Sequence, residues 1–137
     1  MDTREKCLDT DILIDNLRGI DHTINEIKRI EEKGDILSTT TINAFELIYG
    51  AYKTKEIQRN LQAIDTLLTR LVIHSFNEKA AATAAEIVAN LEKEGNTIDF
   101  RDAFIAATAI TNKATLYTRN TKHFNRVPKL KLHQPST

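Results

Sequence analysis

Apolar positions fall along the chain in two alternating rhythms: short runs bounded by polar residues, and longer stretches spaced by three or four. The first run, "KCLD", predicts a strand that passes into a brief helix, "TDILIDNLRG", closed by Gly19. "IDHTINEIKRIEEKG" repeats Ile20, Ile24, Ile27 and Ile30 at helical spacing and stops at Gly34, so these two helices are expected to pack as a hairpin. A second strand, "DILST", precedes a helix, "TINAFELIYGAYKT", that sets Ile42, Phe45, Tyr49 and Tyr52 along one face. Helical spacing continues through Ile57, Leu61, Ile64 and Leu68, and "LVIHS" predicts a third strand. A helix from about Asn77 to Glu94 carries Ala80, Ala81, Ala84, Ile87, Val88 and Leu91 on one stripe and ends at Gly95. The apolar helix of "TIDFRDAFIAATAI" leads to a fourth strand, "ATLYT", and "LKLH" fits a fifth at an edge. Strands alternating with helices predict an α/β fold with a mainly parallel sheet covered on both faces.

The length of 137 residues suits one domain with a single core. No apolar stretch approaches the roughly 20 residues of a membrane span, and the opening "MDTREKCLDT" has no apolar leader segment, so a soluble cytoplasmic protein is expected. The one cysteine, Cys7, has no partner for a disulfide or a CxxC site and reads as a small core residue of the first strand. Charge changes the picture more. From Ala103 to Thr137 there is no Asp or Glu, while Lys113, Arg119, Lys122, Arg126, Lys129 and Lys131 add six positive charges. The preceding 102 residues hold 13 basic against 19 acidic side chains. A basic rim beside an acidic centre is compatible with a polyanion on one and a cation in the other.

Ligands of open parallel α/β sheets gather beyond the carboxyl ends of the strands. Asp9 stands at the end of the first strand, Glu46 on the helix after the second, and Asp99 and Asp102 at the head of the helix entering the fourth. Each acid also has a plain structural role open to it: Asp9 and Asp99 suit helix caps, Asp102 suits the first turn, and Asp11 and Asp15 suit solvated or capping positions. Glu46, between Phe45 and Leu47 with no Lys or Arg three or four residues away, needs a partner from elsewhere in the chain. A hard divalent ion, Mg²⁺ or Mn²⁺, satisfies the four acids together. Asn43, one turn before Glu46, is placed to orient that carboxylate.

These motifs resemble PIN-domain ribonucleases, in particular the VapC-type toxins of toxin–antitoxin pairs. "LDTDILIDNLRG" is similar to the family's opening strand and helix, and "TINAFELIYGA" to its Glu-bearing helix. "RDAFIAATAI" with "LYTRNTKHFNRVPKLKL" is similar to the third acidic motif and last strand, so the resemblance covers nearly the whole chain. It implies a single PIN domain over residues 1–137, with a PIN-like three-layer α/β/α sandwich around four to five strands. It makes Asp9, Glu46 and Asp102 the core metal ligands, Asp99 an auxiliary acid able to take a proton from water, and Thr118 a residue that places water or phosphate. Asn120 departs from the family, many of whose members carry a fourth aspartate there, and this puts a second metal in question. The implied reaction is metal-dependent hydrolysis of RNA phosphodiester bonds, with Arg119 and Lys122 as candidates for holding the RNA backbone. The implied partners are a second copy, in a homodimer, and a VapB-type antitoxin whose tail crosses the acidic cleft; no membrane is involved.

Two other readings compete. "LDTDIL" also resembles the Asp-x-Asp signature of haloacid-dehalogenase-type phosphatases, but "REKCL" is polar for that fold's buried first strand and its Ser/Thr and Lys motifs are missing. A catalytically weak PIN-like module that binds RNA or protein is suggested by Asn120 and opposed by the retention of Asp9, Glu46 and Asp102. His22, His74, His123 and His133 lack zinc-ligand spacing, and "KHFNR" reads as a loop anchored by Phe124.

Overall fold

Neighbouring residues on the first strand, β1 (Glu5–Leu8), feed two different cores, because strand side chains alternate between sheet faces. Cys7 joins the cluster built with Leu116, Ile87, Leu91, Ile105 and Phe124, and Leu8 the one built with Tyr117, Ile12, Leu13, Ile27 and Ile64. The computed structural model describes residues 4–135; residues 1–3 and 136–137, at the ends of the domain expected from the sequence, lie outside the described residues.

The elements follow as α1 (Thr10–Leu17), α2 (Asp21–Glu32), β2 (Ile36–Thr40), α3 (Thr41–Tyr52), α4 (Ile57–Leu68), β3 (Val72–His74) and α5 (Glu78–Lys93). After these come α6 (Phe100–Thr111), β4 (Thr115–Tyr117), α7 (Thr121–Phe124) and β5 (Lys131–His133). The five strands form one sheet, order β3-β2-β1-β4-β5, every pairing parallel. Residues of α5 and α6 cover one face and residues of α1 to α4 the other, which is the α/β/α sandwich expected from the pattern. The alanine stripe of α5 (Ala80, Ala84) and the small residues of α6 (Ala103, Ala106, Ala107) are all buried in one cluster, where short side chains let the helices approach. Gly19, at φ 73°, turns the chain out of α1 in a conformation that a side chain disfavours, and so delivers it into α2.

Two details depart from the sequence reading. On α3 the aromatic face is outward: Phe45, Tyr49 and Tyr52 are 55%, 49% and 59% exposed, and the buried stripe is Asn43, Leu47 and Ala51, spaced by four. A polar Asn within that stripe hid it from a hydrophobic count. "KHFNR" is not wholly loop, since α7 forms a single turn whose Phe124 is fully buried, anchoring it as expected. The edge strand β5 is present and pairs with β4. Cys7 is buried in β1, and burial, with smaller contributions from Asp9 and Glu5 against a hydrogen bond to Ser38, pushes its thiol up to about 12, so it is a packing residue. Among the described residues no helix is long and apolar enough to cross a membrane.

Candidate functional site

The strand order reverses between β1 and β4: the chain steps outward from β1 to β2 and β3, then returns to β4 and β5 on the other side. A crevice at the carboxyl ends of two such strands is the usual ligand site of an open α/β sheet. Leu8 and Tyr117 are partners in register, and the Asp9 amide donates to the Tyr117 carbonyl at 3.0 Å. Asp9 and Thr118 are therefore the first residues beyond the sheet on the adjacent strands β1 and β4.

Asp9 is buried and is the N-cap residue of α1, as its plain reading proposed. Its Oδ1 accepts from the Thr10 amide (2.9 Å) and from Asn43 Nδ2 (3.0 Å), and its Oδ2 accepts from the Thr118 hydroxyl (2.7 Å). No Lys or Arg forms an ion pair with it among the described residues. Burial, then the charge of Asp11, pushes its carboxyl from 3.8 up to about 6, with Glu46 adding to the rise and the Thr118 and Thr10 hydrogen bonds opposing it.

Because β2 runs straight into α3, Thr40 is both the last residue of the strand and the cap of the helix, accepting from the Ile42 and Asn43 amides. Its hydroxyl donates to Asn43 Oδ1 at 2.6 Å, which fixes the amide so that Nδ2 points its two hydrogens at Asp9 and at Thr10 Oγ1 (2.9 Å). The Thr10 hydroxyl in turn donates to Glu46 Oε1 at 2.6 Å. Asn43 thus orients Asp9 directly and Glu46 through Thr10. The partner that Glu46 lacked on its own helix comes from α6: Arg101 Nη1 lies 3.7 Å from Oε2.

On α6, Asp99 is the N-cap, its Oδ1 accepting from the Arg101 amide (2.8 Å) and lying 3.6 Å from Arg101 Nε. Asp102, in the first turn, is more enclosed, and its carboxyl is raised first by burial and next by the charge of Asp99. His123 Nδ1, 3.9 Å away, opposes the rise, Glu46 adds to it and Arg101 lowers it. Asp9 and Glu46 are therefore joined by one hydrogen-bonded network, and Asp102 shares an electrostatic neighbourhood with Glu46. Among the described residues no three His, Cys, Asp or Glu side chains stand together as a metal-holding group. The donor chemistry nevertheless suits a hard divalent cation: Asp9 and Asp102 offer carboxylate oxygens whose protonation is favoured by burial and by like charge, and a dication would relieve both.

The residues after β4 divide. The Thr118 hydroxyl, besides donating to Asp9, accepts from the Asn120 amide (2.9 Å), so Asn120 shapes the turn through its backbone while capping α7 without a side-chain hydrogen bond. Arg119 turns toward α1: its amide donates to Asp11 Oδ2 (3.0 Å), its Nε lies 3.8 Å from the same oxygen, and its Nη1 pairs with Asp15. Asp15 is buried, so neither it nor Asp11 is merely solvated. Lys122 is exposed on α7 and makes no ion pair among the described residues. The sequence offered no role for Thr10 or Arg101, and set His123 aside as a histidine without zinc-ligand spacing. For the first two a signal was present: a hydroxyl between acids in "LDTD" and a guanidinium between acids in "DFRD".

Comparison with known proteins adds to this geometry. The model of the PIN domain family matches residues 6–130. Ribonuclease VapC2 of Rickettsia felis is 37% identical over 98 residues, 72% of this chain and 73% of that protein. The tRNA(fMet)-specific endonuclease VapC of Shigella flexneri is 30% identical over 120 residues, 88% of this chain and 89% of that protein. Among solved structures, VapBC2 from Rickettsia felis bound to a DNA fragment from their promoter contains a chain that superposes with a TM-score of 0.88 at 32% identity, covering 95% of this chain and 98% of that one.

Proposed function

We propose, because this chain belongs to the PIN domain family as a VapC-type member, that it is a metal-dependent endoribonuclease acting in the cytoplasm as the toxin of a VapBC-type pair. The observation that carries the reading is Asp9: a buried carboxylate at the switch point of the sheet, held by Asn43 and Thr118 and facing further acids, with no Lys or Arg paired to it among the described residues. Such an arrangement destabilises the protein unless a cation completes it. Named relatives support the substrate class, since those with VapC names are described as ribonucleases or as a tRNA(fMet)-specific endonuclease.

Asp9, Glu46 and Asp102 would hold Mg²⁺ or Mn²⁺, and an ion bound there would polarise a phosphate oxygen and lower the pKa of a coordinated water. The chain's own groups do the rest. Thr118 and Asn43 orient the two oxygens of Asp9, and Thr10 fixes Glu46 against rotation. Asp99 keeps α6 capped and its exposed carboxylate is available to accept a proton from water at the rim. Lys122 offers an exposed ammonium for the RNA backbone, and Arg119 adds positive charge from a position anchored by Asp11 and Asp15. Asn120 brings no charge, which disfavours a second ion. The outward face of α3, with Phe45 stacked on Tyr49 at 5.7 Å, is an apolar surface suited to a second copy in a homodimer. A VapB-type antitoxin is the expected regulatory partner.

Chelation tests the reading. Purified chain incubated with a panel of structured RNAs is expected to cut in Mg²⁺ or Mn²⁺, to stop in EDTA, and to resume when the ion is restored. RNA binding without cutting under any ion condition would move the reading to the catalytically weak module that Asn120 suggested.

A further inference from the structure

Arg101 is the guanidinium among the acids. It leaves α6 between Asp99 and Asp102 and crosses to α3, where Nη1 reaches Glu46 Oε2 at 3.7 Å while Nε keeps Asp99 Oδ1 at 3.6 Å. The other Glu46 oxygen is engaged by the Thr10 hydroxyl, itself held by Asn43 in a network that includes buried Asp9. Oε2 accepts no hydrogen bond among the described residues and is the more open of the two oxygens to a divalent ion, and Arg101 lies against it. A guanidinium and a dication at one carboxylate oxygen repel. Of the two groups on Glu46, Thr10 is fixed from behind, whereas more than half of the Arg101 side chain is in water and free to swing out.

We propose that Arg101 competes with the cation for Glu46 and so sets the divalent-ion concentration at which the site fills. The inference rests on the metal-dependent reading above. Once displaced, the guanidinium retains Asp99, so it stays at the rim of the site rather than leaving it. The competition is modest because the pair is exposed, and removing Arg101 tightens ion binding about two- to fivefold.

The test is a Mn²⁺ titration of the full chain after EDTA treatment and dialysis, following the electron paramagnetic resonance signal of the free ion. Wild type is compared with Arg101→Gln and with Arg59→Gln, which removes an exposed Arg–Glu pair of 3.5 Å on α4 and changes net charge equally. Arg101→Gln is expected to bind Mn²⁺ about two- to fivefold more tightly, and Arg59→Gln to match wild type. Equal affinity of wild type and Arg101→Gln overturns the proposal and leaves the metal reading standing. Weaker binding by Arg101→Gln overturns it by making Arg101 a support of the site, and equal gains in both variants overturn it by assigning the effect to net charge. No bound Mn²⁺ in any of the three removes the metal reading and the competition together.

Discussion

Asp9→Asn is expected to reduce RNA cleavage on the order of a thousandfold or more and, in EDTA at pH 7.5, to make the chain more stable. The two effects have one source. Burial and the charge of Asp11 raise the Asp9 carboxyl from 3.8 to about 6, so the folded protein binds its proton more tightly than the unfolded chain does. The contribution of Asp9 to stability therefore falls as pH rises from about 4 to about 6, and above that window its whole penalty is present. Asn removes the charge and keeps an acceptor oxygen, giving a gain of roughly 1–3 kcal/mol above pH 6 that vanishes below pH 4. Urea denaturation of both proteins at pH 3.5 and 7.5 reads the difference. Saturating Mn²⁺ should stabilise the wild type and leave the variant nearly unmoved, because only a site that binds the ion couples it to folding.

Thr10→Val should lower cleavage about 10- to 100-fold, the range for removing a group that orients a metal ligand. Among the described residues its hydroxyl links the Asp9–Asn43 pair to Glu46, donating to Glu46 and accepting from Asn43. Valine preserves the shape but leaves one hydrogen of the Asn43 amide without its acceptor and Glu46 Oε1 without its donor. A weaker Mn²⁺ affinity together with the loss in rate would place Thr10 behind the ligands. A rate unchanged within twofold would show that Glu46 is held by other means.

Much of this was legible in the residues, for reasons that differ by element. The strands announced themselves as short apolar runs between helices, and the sheet's parallel order followed from that alternation. The acids of "LDTDIL", "NAFELI" and "FRDAFI" could be placed at one end of the sheet because each follows a strand or opens a helix entering one. What the pattern could not deliver was side-chain direction on α3. Asn43 is polar yet fully buried, so the real inward stripe looked mixed and the outward aromatic stripe looked like core. Arg119 was equally opaque: its partners Asp11 and Asp15 lie on α1, more than a hundred residues earlier in the chain, and no local spacing announces such a pair. Asp99 carried two readings at once, cap and auxiliary acid, and the cap is visible in its hydrogen bond to the Arg101 amide.

The central claim is that Asp9, Glu46 and Asp102 form one ion-dependent nuclease site. The most direct measurement is cleavage of structured RNAs by wild type and by Asp102→Asn, each verified as folded by circular dichroism, in Mg²⁺, Mn²⁺ and EDTA. Ion-dependent cutting by the wild type with none by Asp102→Asn is the predicted result. Equal cutting by both proteins, or cutting that persists in EDTA, would contradict it.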